Sequence, residues 1–396
     1  MSTGFVGRPE QPGMTSRERL LAALNHREPD RVPFDLGSTQ VTGISIVAYQ
    51  NLFRHLGKPE ADATVCDVIQ QLALPHDGFL DSLGVDVRGL WPISSHNDDF
   101  EIRNDGPFLR RTDDWGLEYR MKKDGGLWFD LVGSPLRDKT LSPDVICGHA
   151  WPEPSDSRRF RGLLERAREI RKSGRATVLK SICAGLLEMA CRLRGTEDFL
   201  LDLVSDPVNA GLLLDKILEL KIRYWDAVLG ELHGWVDVAA EGDDYGTQQS
   251  QIISHAMYRD ALHPRLAVLV GFIKKKEPGI RVFFHSCGNV REFLPDFIGM
   301  GIDILNPVHV AARGMDPVAL KRDFGKDIVF WGGGIDTQTL LPFGTPEAVR
   351  QGVRRNIEAL APGGGFVFNT VHNIQADVPP QNIVAMVEAL HRYGAY

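Results

Sequence analysis

The chain has 396 residues, 43% hydrophobic and 24% charged, with 45 basic side chains against 52 acidic ones and a formal net charge of -7. That length suits a closed α/β barrel with insertions, and the apolar fraction supplies a large core and excludes general disorder. The acidic balance argues against nucleic acid as the main partner, since phosphate binding concentrates Lys and Arg. Apolar runs such as 182–189 and 266–272 fall far short of the roughly 20 residues that span a bilayer.

Residues 1–14 are polar and rich in Gly and Pro, without the apolar stretch of a signal peptide, and read as a loose cytoplasmic tail. The remainder, 15–396, reads as one domain. Thr15 followed by Glu18 forms a capping-box pattern that opens an amphipathic helix carrying Leu20, Leu21 and Leu24. Residues 31–36 suit a first barrel strand, followed by the loop Gly37-Ser38-Thr39-Gln40. Residues 85–90 alternate as a second strand, with Asp86 and Arg88 on one face as candidate site residues.

Around Lys122-Lys123-Asp124-Gly125-Gly126 two β-prone stretches predict a hairpin insertion, about 108–135. The segment 135–157, rich in Pro, Asp and Ser, reads as a linker-like surface stretch, and 158–172 as a helix. Six further β-prone runs follow: 176–182, 236–241, 281–285, 302–306, 328–331 and 366–369. With the two N-terminal strands they make the eight of a (β/α)8 TIM barrel, the competing architecture being a doubly wound sheet. Polar residues gather after these runs, as expected where loops on one rim build a site.

His285-Ser286-Cys287-Gly288-Asn289 is the most informative segment. Side chains two apart on extended backbone share a face, so His285 and Cys287 can address one atom, and thiolate with imidazole suits zinc. A buried cysteine beside a satisfied histidine is the plain alternative. His372, after the last strand, completes a three-ligand set of the kind catalytic zinc uses, with one position open. Glu241, Asp243 and Asp244 offer carboxylates for a further ligand or for orienting substrate, or else a solvated loop or helix cap. Asn289 and Gln248 are candidates to support ligand or substrate by hydrogen bonding. Gly37, and Gly332-Gly333-Gly334 after a strand, suit close approach of a cofactor phosphate or of a neighbouring loop. His309 reads as a loop histidine. The other cysteines, Cys66, Cys147, Cys183 and Cys191, read as reduced packing residues.

These residues resemble the uroporphyrinogen decarboxylase superfamily. The resemblance rests on Glu28-Pro29-Asp30-Arg31-Val32-Pro33, Gly334-Ile335-Asp336, Gly344-Thr345-Pro346-Glu347, Pro362-Gly363-Gly364-Gly365, and the stretch from His372 through Pro379 to Asn382. It implies a (β/α)8 barrel with its site at the C-terminal mouth. True decarboxylases carry an arginine-bearing loop after the first strand, where this chain has Gly37-Ser38-Thr39-Gln40. The His-x-Cys-Gly motif is instead similar to that of zinc methyltransferases working with methylcobamides or corrinoid proteins. Those enzymes usually place a third Cys ligand after the last strand, where this chain has His372, the residue decarboxylases also carry.

The resemblance therefore implies zinc, a corrinoid carried by a partner protein, and a small-molecule methyl donor or acceptor such as a thiol or methoxy compound. It leaves a homo-oligomer open. The rival enzyme is a decarboxylase using His372 with Asp86 or Asp243 for proton transfer. The non-enzyme rival is a corrinoid-partner-binding protein, although the chain holds no Asp-x-His-x-x-Gly cobalamin pattern.

Overall fold

In the computed structural model, which describes residues 13–58, 64–93 and 102–396, seven strands pair in parallel into one curled sheet. They are β1 (Val87–Leu90), β2 (Ala176–Lys180), β3 (Val238–Gly242), β4 (Arg281–His285), β5 (Ile304–Asn306), β6 (Val329–Trp331) and β7 (Phe366–Val367). Segment 33–36 closes the ring between β7 and β1. Phe34 bridges Phe368 in parallel, the Phe368 N–H donates to the Pro33 carbonyl at 2.8 Å, and the Asp86 N–H donates to the Phe34 carbonyl at 2.8 Å. Pro33 has no N–H to give, so this eighth member joins through bridges rather than a full ladder. The fold is a (β/α)8 barrel; closure of the ring removes the doubly wound alternative.

Strand alternation decides what faces the lumen. Val87, Val178, Val238, Phe283, Ile304 and Val367 point inward and pack as one cluster, while the intervening residues face the surrounding helices. Helix α1 (Ser16–Leu24) adds Leu20 and Leu24 to that inner cluster and so plugs the lower end of the barrel. Its capping box forms between Thr15 and Glu18.

Below the sheet, Asp86 is fully buried among Arg19 (2.6 Å), Arg31 (2.7 Å) and the Phe34 N–H (2.8 Å). Arg88 turns outward to Asp77 at 2.7 Å and to Asp81. The sequence reading of these two as site residues is corrected: Asp86 precedes β1 and lies at the N-terminal face, and Arg88 packs outside the barrel.

The segment expected to hold a hairpin carries a four-stranded antiparallel sheet, Arg103–Asp105, Phe108–Thr112, Glu118–Lys122 and Asp130–Gly133. The stretch read as a linker contains a short helix, Pro143–Gly148. The helix expected over 158–172 is split into a 3-10 turn, Ser157–Phe160, and a helix, Leu163–Lys172, because Gly162 sits at φ +77° between them. Residues 1–12 of the expected tail lie outside the described residues. Among the described residues no helix is long and apolar enough to cross a membrane.

Candidate metal centre

Inward positions near the strand ends form the floor of the barrel mouth, and they are polar where the layers below are apolar. His285 ends β4 on the inward face, two residues beyond Phe283. The chain then turns through Ser286, which is tied by its N–H to the Asn306 carbonyl at 2.7 Å and by its Oγ to the Tyr245 N–H at 3.2 Å. That turn brings Cys287 Sγ to 3.5 Å from His285 Nε2. His372 arrives from the loop after β7, held between Val371, whose N–H donates to the Ile335 carbonyl, and Asn373, whose Oδ1 accepts the Gly43 N–H at 2.6 Å. One donor atom from each of His285, Cys287 and His372 lies within 4.8 Å of the others.

These separations fit zinc. Bonds of about 2.3 Å to sulfur and about 2.05 Å to nitrogen at a tetrahedral angle set a sulfur–nitrogen distance of about 3.5 Å, which is the distance His285 and Cys287 already hold. The two imidazoles stand edge to face with centroids 5.5 Å apart.

The tautomer of His285 is fixed by a residue the sequence reading did not single out. Asn306 spends its amide N–H on the Trp331 carbonyl at 2.8 Å, which leaves its oxygen for His285 Nδ1 at 2.5 Å. Nδ1 therefore carries the proton and the Nε2 lone pair faces the thiol. The signal available in the sequence was a lone Asn at the end of an apolar strand. Asp244 sits beside the set, accepting the Cys287 N–H at 2.8 Å and standing 3.8 Å from His285 Nε2. His309 accepts the Gly288 N–H at 3.0 Å and braces the same turn. Gly288 itself has φ +82°, and a Cβ there would meet the backbone of Gly246 and Thr247 at 2.5 Å. Burial holds the Cys287 thiol well above its ordinary pKa, with Asp244 adding to the effect. Burial also pulls the His372 imidazole down to about 4, with His285 the next cause.

The remaining candidates separate. Glu241 faces outward and is engaged on both oxygens: Lys221 donates at 2.7 Å, Ser181 at 2.7 Å and Trp225 at 2.6 Å. Asp243 caps the start of helix α2 (Leu186–Arg194), accepting the N–H groups of Leu187 at 2.8 Å and Glu188 at 2.9 Å and the Tyr245 hydroxyl at 3.0 Å. Of the three acids, only Asp244 reaches the trio. Asn289 lies against Gly314, and Gln248 bonds Gln338 across the rim. Gly37 closes a turn through its N–H to the Thr42 carbonyl at 2.7 Å.

At Gly332 and Gly334 the N–H groups are already bonded to Val367 and Asn369, and side chains there would strike Asn306 and Phe368. At Gly333 a side chain would meet the Val308 backbone oxygen at 2.6 Å. The conformation of this turn serves close loop packing. Cys183 and Cys191 pack against the core, and Cys66 bonds the Ala73 carbonyl at 3.3 Å; Cys147 is exposed, so reading it as a packing residue is corrected.

Fold and site together define a (β/α)8 barrel whose mouth carries a sulfur–nitrogen donor set. The family model described as Uroporphyrinogen decarboxylase (URO-D) matches residues 118–393, and the chain belongs to that family. Among curated relatives, uroporphyrinogen decarboxylase of Pseudoalteromonas atlantica is 29% identical over 201 residues, 48% of this chain and 50% of its own length. That of Pseudoalteromonas translucida is 37% identical over 95 residues, 22% of this chain and 26% of its own length. The chain thus spans about half the length, or less, of the curated relatives it matches. Among solved structures, a methyltransferase from Methanosarcina mazei superposes with a TM-score of 0.62 at 19% identity, covering 96% of this chain and 99% of its own, which is a likeness of fold.

Proposed function

We propose that the chain is a zinc-dependent methyltransferase that moves a methyl group between a small thiol or methoxy compound and a corrinoid carried by a separate protein. The observation that carries this reading is the convergence of Cys287, His285 and His372 at the barrel mouth, with sulfur and nitrogen 3.5 Å apart. When bound, zinc would supply Lewis acidity, lowering the pKa of a thiol or polarising an ether oxygen. The protein's own share is positional. Asn306 orients His285, and Asp244 and His309 fix the Cys287 turn through its backbone. His285, Cys287 and His372 would hold the zinc, and a three-residue set of this kind would keep a fourth position for substrate.

A decarboxylase remains the rival because the curated relatives carry that name. The loop after the first strand weighs against it, since Ser38 and Thr39 are spent on Asp35 and Thr42 and the loop offers no cation for a polyacidic substrate. Metal analysis separates the two. We expect about one zinc per chain in purified protein and a loss of most of it in Cys287→Ala, with methyl transfer to a corrinoid protein lost in parallel. Decarboxylation by metal-free protein, unaffected by Cys287→Ala, would overturn the proposal.

A further inference from the structure

The two histidines of the trio are supported in different ways. His285 is oriented by a side chain, Asn306. The His372 ring makes no hydrogen bond among the described residues, and its ring partner is His285 itself. Its aim is therefore set by the backbone on either side, where Thr370 Oγ1 donates to the His372 carbonyl and Asn373 follows. Asn373 is 1% exposed, and its oxygen and both of its N–H groups are engaged. Its Oδ1 accepts the Gly43 N–H at 2.6 Å, which leaves its Nδ2 to donate to the Gln40 carbonyl at 2.8 Å and to Gln70 Oε1 at 2.9 Å. The Gly43 donor fixes which way the Asn373 amide points, and that in turn fixes Gln70. The Gln70 oxygen faces Asn373, and its Nε2 donates to the Gln40 carbonyl at 3.2 Å.

Gln70 does not come from a barrel strand. It stands at the tip of a hairpin formed by Thr64–Asp67 and Leu72–Leu74, between the helices Ile46–His55 and Asp77–Ser82. The tip is held from several sides. The Asp67 carboxylate accepts the Gln70 N–H at 2.9 Å, and the Gln71 carbonyl accepts the Ile46 N–H at 2.9 Å. Gln71 takes φ +53°, a left-handed conformation that costs a glutamine free energy, so these neighbouring bonds over-determine the turn. The Ile69 carbonyl accepts the Phe129 N–H at 2.8 Å, and Phe129 belongs to the four-stranded insertion. A continuous path of bonds thus runs from the insertion through the hairpin tip to the residue that follows the third donor.

We propose that Gln70 is a positioning residue for the metal centre: it clamps Asn373, fixes the turn that aims His372, and ties that aim to the insertion through the hairpin. This role rests on the zinc reading above. Gln70 reaches the trio only through Asn373 and carries no charge, so its effect on the metal is a change in where His372 points.

The test is metal binding by Gln70→Met, which keeps the length of a half-buried side chain and removes both of its polar ends. In chelator competition the variant is expected to bind zinc about tenfold more weakly, the lower end of what losing a support to a metal ligand costs. Cobalt(II) in place of zinc reports the cause. The thiolate-to-cobalt charge-transfer band, which reads Cys287, should persist, while the d–d bands, which read tetrahedral closure by His372, should weaken. A parallel loss of both bands would mean general destabilisation and overturn the proposal. Asn373→Ala should weaken zinc at least as far, and the double variant no further than Asn373→Ala, because the two residues act in series. Additive losses, or wild-type zinc affinity in Gln70→Met, overturn the clamp, and the cobalt spectrum of Gln70→Met decides by itself if Asn373→Ala does not fold. Backbone hydrogen exchange at Gly43 separates this role from the zinc reading, since its N–H is bonded to Asn373 with or without metal. Faster exchange there in Gln70→Met, in a protein that takes no zinc, keeps the clamp and sinks the metal reading. Zinc held with unchanged affinity and an unchanged cobalt spectrum sinks the positioning role alone.

Discussion

Asn306 decides which nitrogen of His285 faces the donor set, and it does so with no charge of its own. Replacing it by Leu removes the acceptor for Nδ1 and frees the ring to rotate or change tautomer. Losing such a support ordinarily costs about 10–100-fold in metal affinity. We therefore expect Asn306→Leu to weaken zinc binding by that factor in a chelator competition, with the far-ultraviolet spectrum unchanged. A variant with wild-type affinity would mean that the ring is held by packing alone. His285 and Cys287 were legible in the sequence because period-two geometry and ligand chemistry coincide in four residues. Asn306 was not, because its relation to His285 is a pairing of neighbouring strands, 21 positions apart in the chain.

At the scale of elements, the β3 strand shows how parity sorts acids. Val238, Ala240 and Gly242 face inward and Glu241 faces outward, where Lys221 from helix α3 (Pro207–Glu231) meets it in a fully buried pair. A sequence with apolar residues on both sides of Glu241 does not reveal which face is the lumen, so an outward acid and a site acid look alike. The buried pair predicts a stability effect. Lys221→Met leaves the Glu241 charge with two neutral donors in a dry interface and is expected to cost about 3–5 kcal/mol in urea unfolding. Adding Glu241→Gln should recover most of that loss, since it removes the uncompensated charge. Zinc content of the folded protein should be the same in both variants; a loss there would tie Glu241 to the metal site after all.

For the whole molecule, the barrel separates stability at one end from chemistry at the other. The lower end is sealed by α1 and by Asp86 between Arg19 and Arg31, which pins the N-terminal helix and the closing segment to β1. Asp86→Ala leaves two guanidinium groups short of a buried partner, and we expect a loss of about 3 kcal/mol or more in unfolding free energy. Per folded molecule, zinc content and turnover should be unchanged, whereas a role for Asp86 in proton transfer would abolish turnover at full stability.

The sequence by itself determined the rhythm of strands and helices, the number of barrel members and the His-x-Cys pair, because each is written in local periodicity or in residues two apart. Only closure of the ring decided the rest. It brought His372 from the last strand onto His285, placed Asp244 rather than Glu241 at the trio, and carried Asp86 to the far end. Those outcomes depend on which face of each strand becomes the lumen, and that choice is made by packing among strands far apart in the chain.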